Sequence, residues 1–257
     1  MMKAITTILL IFLVCLVEAS AANIHYVGSS TVGKFIRDAT VVYNSVALTM
    51  DTVPESAGGE KCAIQNVCDM GGVARDVKQE YLDQGVVATL IGKDALAVIV
   101  NADNPVTELS SDELKRIFTG EVANWSELGG PNLPMEVHIV KQGSATRKVF
   151  REVILQGEDY EGCTVTTPDA MVVSHVARNK GAIGQISFAF IKGKSEVRPL
   201  IVDGQEPTVN NPDYPITRNL FITTRGIPEG EVKAFLDWTL SPEGQQLVKE
   251  RFVGIKK

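Results

Sequence analysis

The chain has 257 residues, of which 44% are hydrophobic and 22% are charged, which is typical of a globular protein rather than a disordered or fibrous one. Its formal net charge is -6 and no basic stripe stands out, so the composition argues against a nucleic-acid partner. It does not argue against a small anion, because local hydrogen-bond donors rather than net charge hold a buried ligand.

Residues 1–22 have the pattern of a secretory signal peptide. Lys3 supplies the positive end, residues 4–17 the apolar segment, and Ala19-Ser20-Ala21 a small-residue cleavage site. The apolar run is shorter than the ~20 residues that a membrane-spanning helix needs. Val14 stands where a lipid-anchoring motif before Cys15 needs a small residue. We therefore predict an exported, periplasmic protein, with roughly 235 residues left for one large domain or two modest ones.

The first predicted strand, residues 24–27, leads into a turn of small residues, Gly28-Ser29-Ser30-Thr31-Val32, and then into a helix. The stretch approaches a P-loop, but Phe35 stands where the magnesium-binding hydroxyl would be, so we reject nucleotide binding. A strand, a small-residue turn and a helix start still present hydroxyls and amides that suit an anion. The alternative is an ordinary strand-to-helix connection.

A second junction of the same kind follows. Residues 46–53 form a predicted strand, and Glu55-Ser56-Ala57-Gly58-Gly59 opens a predicted helix. Residues 69–75 form a short strand and a turn that ends in Arg75. The guanidinium of Arg75 suits an oxyanion through two parallel hydrogen bonds. The alternative is a surface salt bridge from Arg75 to Asp76 or Glu80.

The middle of the chain predicts two strands and a crossing between lobes. Residues 86–91 have the pattern of one strand, and residues 95–100 form a continuous apolar run that is typical of a strand buried on both faces. Asn104-Pro105 breaks the pattern, and we place the crossing near it. The capping box at residues 110–113 begins the next helix.

The third junction is Lys141-Gln142-Gly143-Ser144-Ala145-Thr146-Arg147, between a predicted strand at residues 137–140 and a predicted helix at residues 149–155. Ser144 is a natural N-cap, so the amides of Ala145, Thr146 and Arg147 are unpaired donors of the first helical turn. These donors, two hydroxyls and the cations of Lys141 and Arg147 suit phosphate or sulfate. The alternative is an ordinary capped helix on a surface loop.

The remaining elements complete an alternating α/β pattern. They are a helix at 170–180, a strand at 181–187, a loop at 204–215, a strand at 218–224, a helix at 228–240 and a last helix that begins with Ser241-Pro242-Glu243. In an open α/β sheet, the turns at the carboxyl ends of strands gather where ligands bind. We therefore expect the three small-residue turns to converge on one anion.

Three cysteines remain after the leader: Cys62, Cys68 and Cys163. In an oxidising compartment one pair can form a disulfide, and Cys62 with Cys68 is the nearest pair in sequence. Nearness in sequence does not establish the geometry, so free buried thiols remain the alternative. The spacing is not that of a zinc motif and no histidine is close, so we predict no metal site.

In their order along the chain, six motifs together resemble the phosphate-binding proteins of bacterial phosphate-specific ABC transporters, in the type-2 periplasmic binding protein group. The motifs lie at residues 28–32, 56–59, 117–125, 143–147, 181–184 and 234–244. The resemblance implies an α/β fold with two lobes, each a mixed sheet flanked by helices, joined by two crossings. On this basis we place the first lobe at residues 23–100 and 195–257, and the second at residues 101–194.

The resemblance also implies a set of ligand residues. Ser30, Thr31 and the Val32 amide match the first-turn donors; Ser56 matches the second-turn serine; and Ser144, Ala145 and Thr146 match the third-turn donors. Two positions depart from the pattern. Val140 replaces an arginine, so Lys141 or Arg147 would have to supply the charge, and Arg75, which is next to Ala74, would add charge rather than an acceptor. Ala74 replaces an aspartate that accepts a phosphate proton, which puts discrimination against sulfate in doubt.

The predicted function is therefore the capture of phosphate, or a related oxyanion, and its delivery to an ABC transporter permease in the inner membrane. We expect a monomer with no cofactor, no nucleic-acid partner and no catalytic residue. One alternative is an oxyanion-sensing partner of a membrane receptor, which would use the same pocket. Another is a secreted hydrolase, but Ser144 lacks a nucleophile-elbow motif around it and His25, His138 and His175 are isolated in sequence.

Overall fold

A computed structural model describes residues 22–208 and 210–255. The predicted signal peptide therefore lies outside the described residues, apart from Ala22, which begins the first strand. Within the described part, the strands are β1 (Ala22–Gly28), β2 (Val46–Asp51), β3 (Met70–Val73), β4 (Val86–Asn101), β5 (Glu108–Leu109), β6 (Glu136–Val140), β7 (Thr164–Thr166), β8 (Ala182–Ser187), β9 (Val197–Pro199), β10 (Ile201–Val202), β11 (Thr217–Arg225) and β12 (Val253–Gly254). The helices are α1 (Ser30–Val42), α2 (Glu55–Gln65), α3 (Gln79–Leu82), α4 (Ser111–Phe118), α5 (Ala145–Val153), α6 (Met171–Arg178), α7 (Gly230–Leu240) and α8 (Pro242–Val248).

The strands form two mixed sheets that share β4. The hydrogen-bonded order is β2-β1-β3-β11-β4-β8-β6-β7, with β9 and β12 also paired to β4. The first part of β4 pairs antiparallel with β11, from Val86 to Ala95. The second part pairs antiparallel with β8, from Leu96 to Val100. The chain therefore passes from one α/β lobe to the other inside a single strand, which confirms the predicted two-lobed α/β fold.

The prediction of two separate strands at residues 86–91 and 95–100 is wrong, because β4 is continuous through the intervening Gly92, Lys93 and Asp94. These three residues pair with β11, and Asp94 lies directly opposite Arg218 in the register. A carboxylate that interrupts an apolar run is tolerated inside a sheet when an opposite charge meets it there. The polar interruption is thus a paired position of one strand and not a connection between two.

The strand pairing favours a second lobe that differs from the predicted residues 101–194. β9 pairs with residues 99–101 of β4, and β10 pairs with β5. Tyr214 and Ile216 belong to the same apolar cluster as Phe118 and Trp125. We therefore propose that the second lobe runs from about residue 96 to about residue 216, with its crossings where β4 and β11 leave their shared ladder.

Each lobe has its own core, and the two cores meet at the cleft. Tyr26, Phe35 and Phe235 are fully buried in the first lobe, and two clusters lie in the second lobe. Ala145 and Ala189 come from second-lobe elements but pack against the first-lobe cluster. The two lobes are therefore closed on each other in this structure.

The local predictions about helix starts are confirmed. Ser144 and Ser241 cap α5 and α8, and Ser110 forms a reciprocal capping box with Glu113. Each cap satisfies an amide that the first helical turn leaves unpaired. These caps fix where the helices begin, and so fix which residues each helix presents to the cleft.

The cysteine alternative is resolved in favour of the disulfide between Cys62 and Cys68, whose Cα atoms lie 5.4 Å apart. The bridge ties the last turn of α2 to the segment before β3. Cys163 is a half-buried free thiol, and burial raises its pKa to about 11. In the described part of the chain, no helix has the length and apolar character to cross a bilayer.

Candidate functional site

Three helix starts converge at the cleft between the lobes. The first turn (residues 28–32), the second turn (residues 55–59) and the third turn (residues 141–147) each follow a strand and begin α1, α2 and α5. The Ser30 amide donates to Glu55 Oε2 at 3.0 Å, which joins the first turn to the second. The Ala57 amide donates to the Gly143 carbonyl at 3.3 Å, which joins the second turn to the third. The three turns therefore lie together in the structure, as the sequence predicted.

The first and third turns are joined by Arg218, which the sequence analysis did not select. Its Nη2 donates to Thr31 Oγ1 at 2.9 Å, and its Nη1 donates to Thr146 Oγ1 at 3.0 Å. The other edge of the guanidinium donates from Nε and Nη2 to Asp94 Oδ2, at 3.0 and 2.8 Å. Both charged side chains are almost fully buried, at 2% and 0% exposure. One buried cation thus lies between two helix N-termini, held in a fixed orientation by its carboxylate.

The carboxylate of Asp94 is itself well anchored. Ser187 donates to its second oxygen, Oδ1, at 2.9 Å. Burial raises the pKa of Asp94, and the charge and hydrogen bonds of Arg218 oppose that rise. A buried ion pair is costly unless its remaining hydrogen-bonding capacity is used, and here the serine uses it.

The hydroxyl groups at the three turns are arranged as donors. Thr31 Oγ1 and Thr146 Oγ1 each accept a hydrogen bond from Arg218, and Ser56 Oγ accepts one from the Ala74 amide at 3.1 Å. A hydroxyl has one hydrogen and two lone pairs, so each of these groups keeps its hydrogen for another acceptor. All three side chains are buried. The arrangement leaves three hydroxyl hydrogens available to an acceptor at the convergence of the turns.

The backbone amides add donors, but not all of the predicted ones. The Val32 amide donates to Ser29 Oγ and the Thr146 amide to Ser144 Oγ, both at 3.3 Å. The expectation that the Val32 amide is open to a ligand therefore does not fit this structure, because the N-cap serine takes it. Among residues 22–208 and 210–255, the amides of Thr31, Ser56 and Ala145 have no protein acceptor. Such amides at helix N-termini favour an anion.

The three predicted cations, Arg75, Lys141 and Arg147, bond to groups away from the point where the turns converge. Arg75 forms a buried salt bridge with Glu60 at 2.7 Å, not with Asp76 or Glu80. Lys141 donates to the Val53 carbonyl. The geometry therefore favours Arg218 as the central charge, in place of the expected Lys141 or Arg147.

Arg147 is held on the second-lobe side of the cleft. It donates to the Val140 carbonyl at 3.3 Å and lies 5.0 Å above the ring of Tyr160. Arg75 and Arg147 line a cavity of about 630 Å³ beside the third turn. These two cations border the approach to the turns and do not lie between them.

Two further carboxyl groups lie at the cleft. Burial, and after it the nearby charge of Asp169, raises the pKa of Glu55 to about 7. Burial also raises the pKa of Asp169, against a 2.7 Å hydrogen bond donated by the Ser144 hydroxyl. Ser144 therefore differs from the other hydroxyls, since its hydrogen is already directed to a protein carboxylate.

Sequence patterns contained one signal for the missed charge. Asp94 directly precedes an apolar run and Arg218 lies two residues before another, and charged residues that are fully buried are nearly always paired. Nothing in the sequence, however, indicates that these two residues face each other or that Thr31 and Thr146 lie beside them.

A buried, donor-lined site between two α/β lobes that share one strand is the architecture of a two-lobed solute-binding protein. Residues 17–243 match the family described as PBP superfamily domain. The chain belongs to the PBP superfamily, the periplasmic binding protein class that the fold indicates.

Named relatives extend this result. The chain is 31% identical to a Clostridium perfringens protein, described as a candidate phosphate ABC transporter substrate-binding protein and solved with bound phosphate; the match has a TM-score of 0.85 and covers 91% of this chain and 100% of the other. It is 25% identical to the phosphate-binding protein PstS of Borreliella burgdorferi, over 89% of this chain and 88% of that protein. It is 35% identical to PstS of Bacillus subtilis, over 60% of this chain and 52% of that protein.

Proposed function

We propose that this protein binds inorganic phosphate in the closed cleft and delivers it to an ABC transporter permease. The observation that carries the proposal is the position of Arg218 between Thr31 and Thr146. One fixed cation, flanked by two hydroxyls whose hydrogens are free, suits a small tetrahedral oxyanion. The Clostridium perfringens relative with bound phosphate supports phosphate as that oxyanion.

The proposed ligand set adds Arg218 to the predicted one and removes six predicted residues from direct contact with the anion: Ser30, Val32, Arg75, Lys141, Ser144 and Arg147. We propose that Arg218 and the hydroxyls of Thr31, Ser56 and Thr146 donate to the anion. The amides of Thr31 and Ala145 would add two backbone donors. Ser30, Ser144 and Glu55 would then border the anion and orient the donors. Lys141 and Arg147 would attract the anion to the cleft before closure, whereas the charge of Arg75 is already neutralised by Glu60.

The expected affinity follows from these donors. A hydrogen bond that involves a charged group contributes roughly 1.5–3 kcal/mol. About half a dozen such bonds exceed the roughly 8 kcal/mol of micromolar binding, which leaves several kcal/mol for the cost of ordering the ligand and closing the lobes.

The remaining parts of the proposal concern the cellular role. The protein would capture phosphate without catalysis, in the periplasm, as a monomer that presents phosphate to its permease. Relatives described as phosphate-binding proteins support the capture of phosphate. A sensing role would use the same pocket. Measuring phosphate uptake in cells that lack this protein distinguishes transport from sensing. Loss of a transport protein would lower uptake, whereas loss of a sensor would change gene expression but leave uptake intact.

The binding site is tested by isothermal titration of the purified protein with phosphate, sulfate, arsenate, molybdate and a sugar. Thr31→Val and Thr146→Val remove one hydroxyl each with little change of shape. We expect phosphate affinity to fall about tenfold in each, the effect of one charge-assisted hydrogen bond. Thr40→Val is the matched control, because Thr40 lies in α1 and its hydroxyl donates only to the Arg37 carbonyl. Full phosphate affinity in both cleft variants would show that the anion lies elsewhere.

A further inference from the structure

The cavity of about 630 Å³ beside the third turn has walls from both lobes. Ala57 and Arg75 line it from the first lobe, and residues between Gln142 and Tyr160 line it from the second. None of the four side chains proposed to bind the central anion is among the lining residues. The cavity is therefore a space separate from the central site, and it has this shape when the lobes are closed.

The side chains that line this cavity carry an excess of positive charge, in a chain whose formal net charge is -6. Asp159 is the one carboxylate among the lining residues; it pairs with Arg151 at 3.0 Å and is 87% exposed. Lys148 lies 3.6 Å from Glu152 at the surface, so its charge is largely offset and screened. The lining cations are Arg75, Arg147, Lys148 and Arg151.

Arg75 brings an unsatisfied donor to the wall of the cavity. Its side chain is 8% exposed, and its Nε is buried without a hydrogen-bond partner in the described part of the chain. Glu60 accepts only from Nη2, at 2.7 Å, and Glu60 does not line the cavity. Buried polar atoms are nearly always hydrogen-bonded, so the free Nε–H indicates an acceptor that the protein itself does not supply.

Arg147 adds a charge that no carboxylate offsets. Within residues 22–208 and 210–255 it forms no salt bridge, and its hydrogen bond to the Val140 carbonyl, at 3.3 Å, uses one of its five N–H donors. Tyr160 holds it in place, because the ring lies 5.0 Å from the guanidinium and the hydroxyl donates to the Arg147 carbonyl at 2.9 Å. Four donors of a fixed, half-buried cation therefore remain for a ligand.

We propose that this cavity is a second anion site, in which one small oxyanion accepts hydrogen bonds from Arg75 Nε and from the unused donors of Arg147. The ligand class is a compact anion with two or more acceptor oxygens, such as phosphate or sulfate, because guanidinium groups bind such oxygens with directed hydrogen bonds. The site goes beyond the proposed function, since its anion is bound in addition to the central one.

An anion in this cavity would join the lobes, because Arg75 belongs to one lobe and Arg147 to the other. A ligand that bonds both lobes favours the closed form over the open one. Its binding and that of the central phosphate should therefore strengthen each other. We expect roughly millimolar affinity, weaker than at the central site, because solvent reaches Arg147 and screens its charge.

NMR titration of the purified protein with inorganic phosphate, read at the Nε–H signals of its arginine side chains, tests the inference. We expect the Arg218 signal to change in the micromolar range and the Arg75 signal to shift again in the millimolar range. Arg147→Gln should move the millimolar midpoint at least about tenfold higher, the effect of one charge-assisted hydrogen bond. Arg178→Gln is the matched control, since it removes an exposed arginine of the same lobe and should leave that midpoint unchanged.

An Arg75 signal that does not respond in the millimolar range would overturn the inference. An equal midpoint in wild type and Arg147→Gln would do so as well, because the protein would then bind adventitious ions only. If Arg147→Gln fails to fold, equilibrium dialysis of wild type decides: two bound phosphate ions per chain at millimolar phosphate support the second site, and one refutes it. Loss of the micromolar change alone would refute the proposed function and leave the second site standing.

Discussion

The buried pair of Arg218 and Asp94 allows the binding role of the arginine to be separated from its structural role. Arg218→Met keeps most of the side chain's volume but leaves Asp94 buried without a counter-charge. Both side chains are essentially inaccessible, at 2% and 0% exposure, so solvent screens their interaction little. Removal of one partner of such a pair costs about 3–5 kcal/mol of stability. The double variant Arg218→Met/Asp94→Asn removes both charges and should recover most of that loss.

Phosphate binding should behave differently from stability in this series. Arg218 contributes the central positive charge to the site, and the double variant does not restore it. Four of the five guanidinium hydrogens of Arg218 already bond Asp94, Thr31 and Thr146, which leaves one for the anion. We therefore expect phosphate affinity to fall about tenfold to a hundredfold in both variants, the effect of one charge-assisted hydrogen bond. Urea unfolding gives the free energy of unfolding, and isothermal titration gives the affinity. Arg225→Gln is the matched control, since Arg225 is an exposed arginine at the end of the same strand.

Two results would refute this reasoning. If the double variant recovers phosphate affinity together with stability, Arg218 stabilises the fold but does not bind the anion. If the free energy of unfolding of Arg218→Met equals that of the wild type, then the variant does not leave Asp94 as a buried carboxylate without a counter-charge, which is what the structure predicts.

Two further predictions concern Glu55 and Gly59. The pKa of Glu55 is raised from 4.5 to about 7 in the folded protein, so between these pH values the folded protein keeps a proton that the unfolded chain releases. The free energy of unfolding should therefore fall by about 3 kcal/mol as the pH rises from about 4.5 to about 7. Glu55→Gln still accepts from the Ser30 amide but cannot ionise, so urea unfolding at about pH 5 and pH 8 should show a flatter profile; an equally steep decline in the variant would assign the effect to other groups. A Cβ at Gly59 would lie 2.3 Å from the Gly72 carbonyl oxygen, so Gly59→Ala should push the start of α2 away from the sheet, cost about 1–3 kcal/mol and weaken phosphate binding through Ser56. Lys61→Ala, at an exposed position of α2, should change neither quantity, and wild-type behaviour of Gly59→Ala would show that the helix start tolerates the displacement.

The helix starts around the site could be predicted from the sequence, because the interactions that fix them join residues close together in the chain. Ser144 caps α5 as predicted, and Ser110 begins α4 with a capping box. A serine at an N-cap acts on amides two or three residues away, so the relevant distances are fixed by the helix itself. The three small-residue turns were identified for the same reason. The disulfide is an intermediate case, because Cys62 and Cys68 were the nearest pair but only the 5.4 Å separation of their Cα atoms decided the bond.

The central charge of the site was decided by tertiary structure alone. Arg218 is 187 residues from Thr31 and 124 from Asp94, and it meets them only because β11 and β4 pair in one particular register. A shift of that register by one residue would turn the guanidinium to the other face of the sheet. Glu55 of the first lobe and Asp169 of the second likewise border one cavity only when the lobes close. The sequence therefore determines which donors each turn can offer, whereas the pairing of distant strands and the closure of the lobes determine which charges those donors meet.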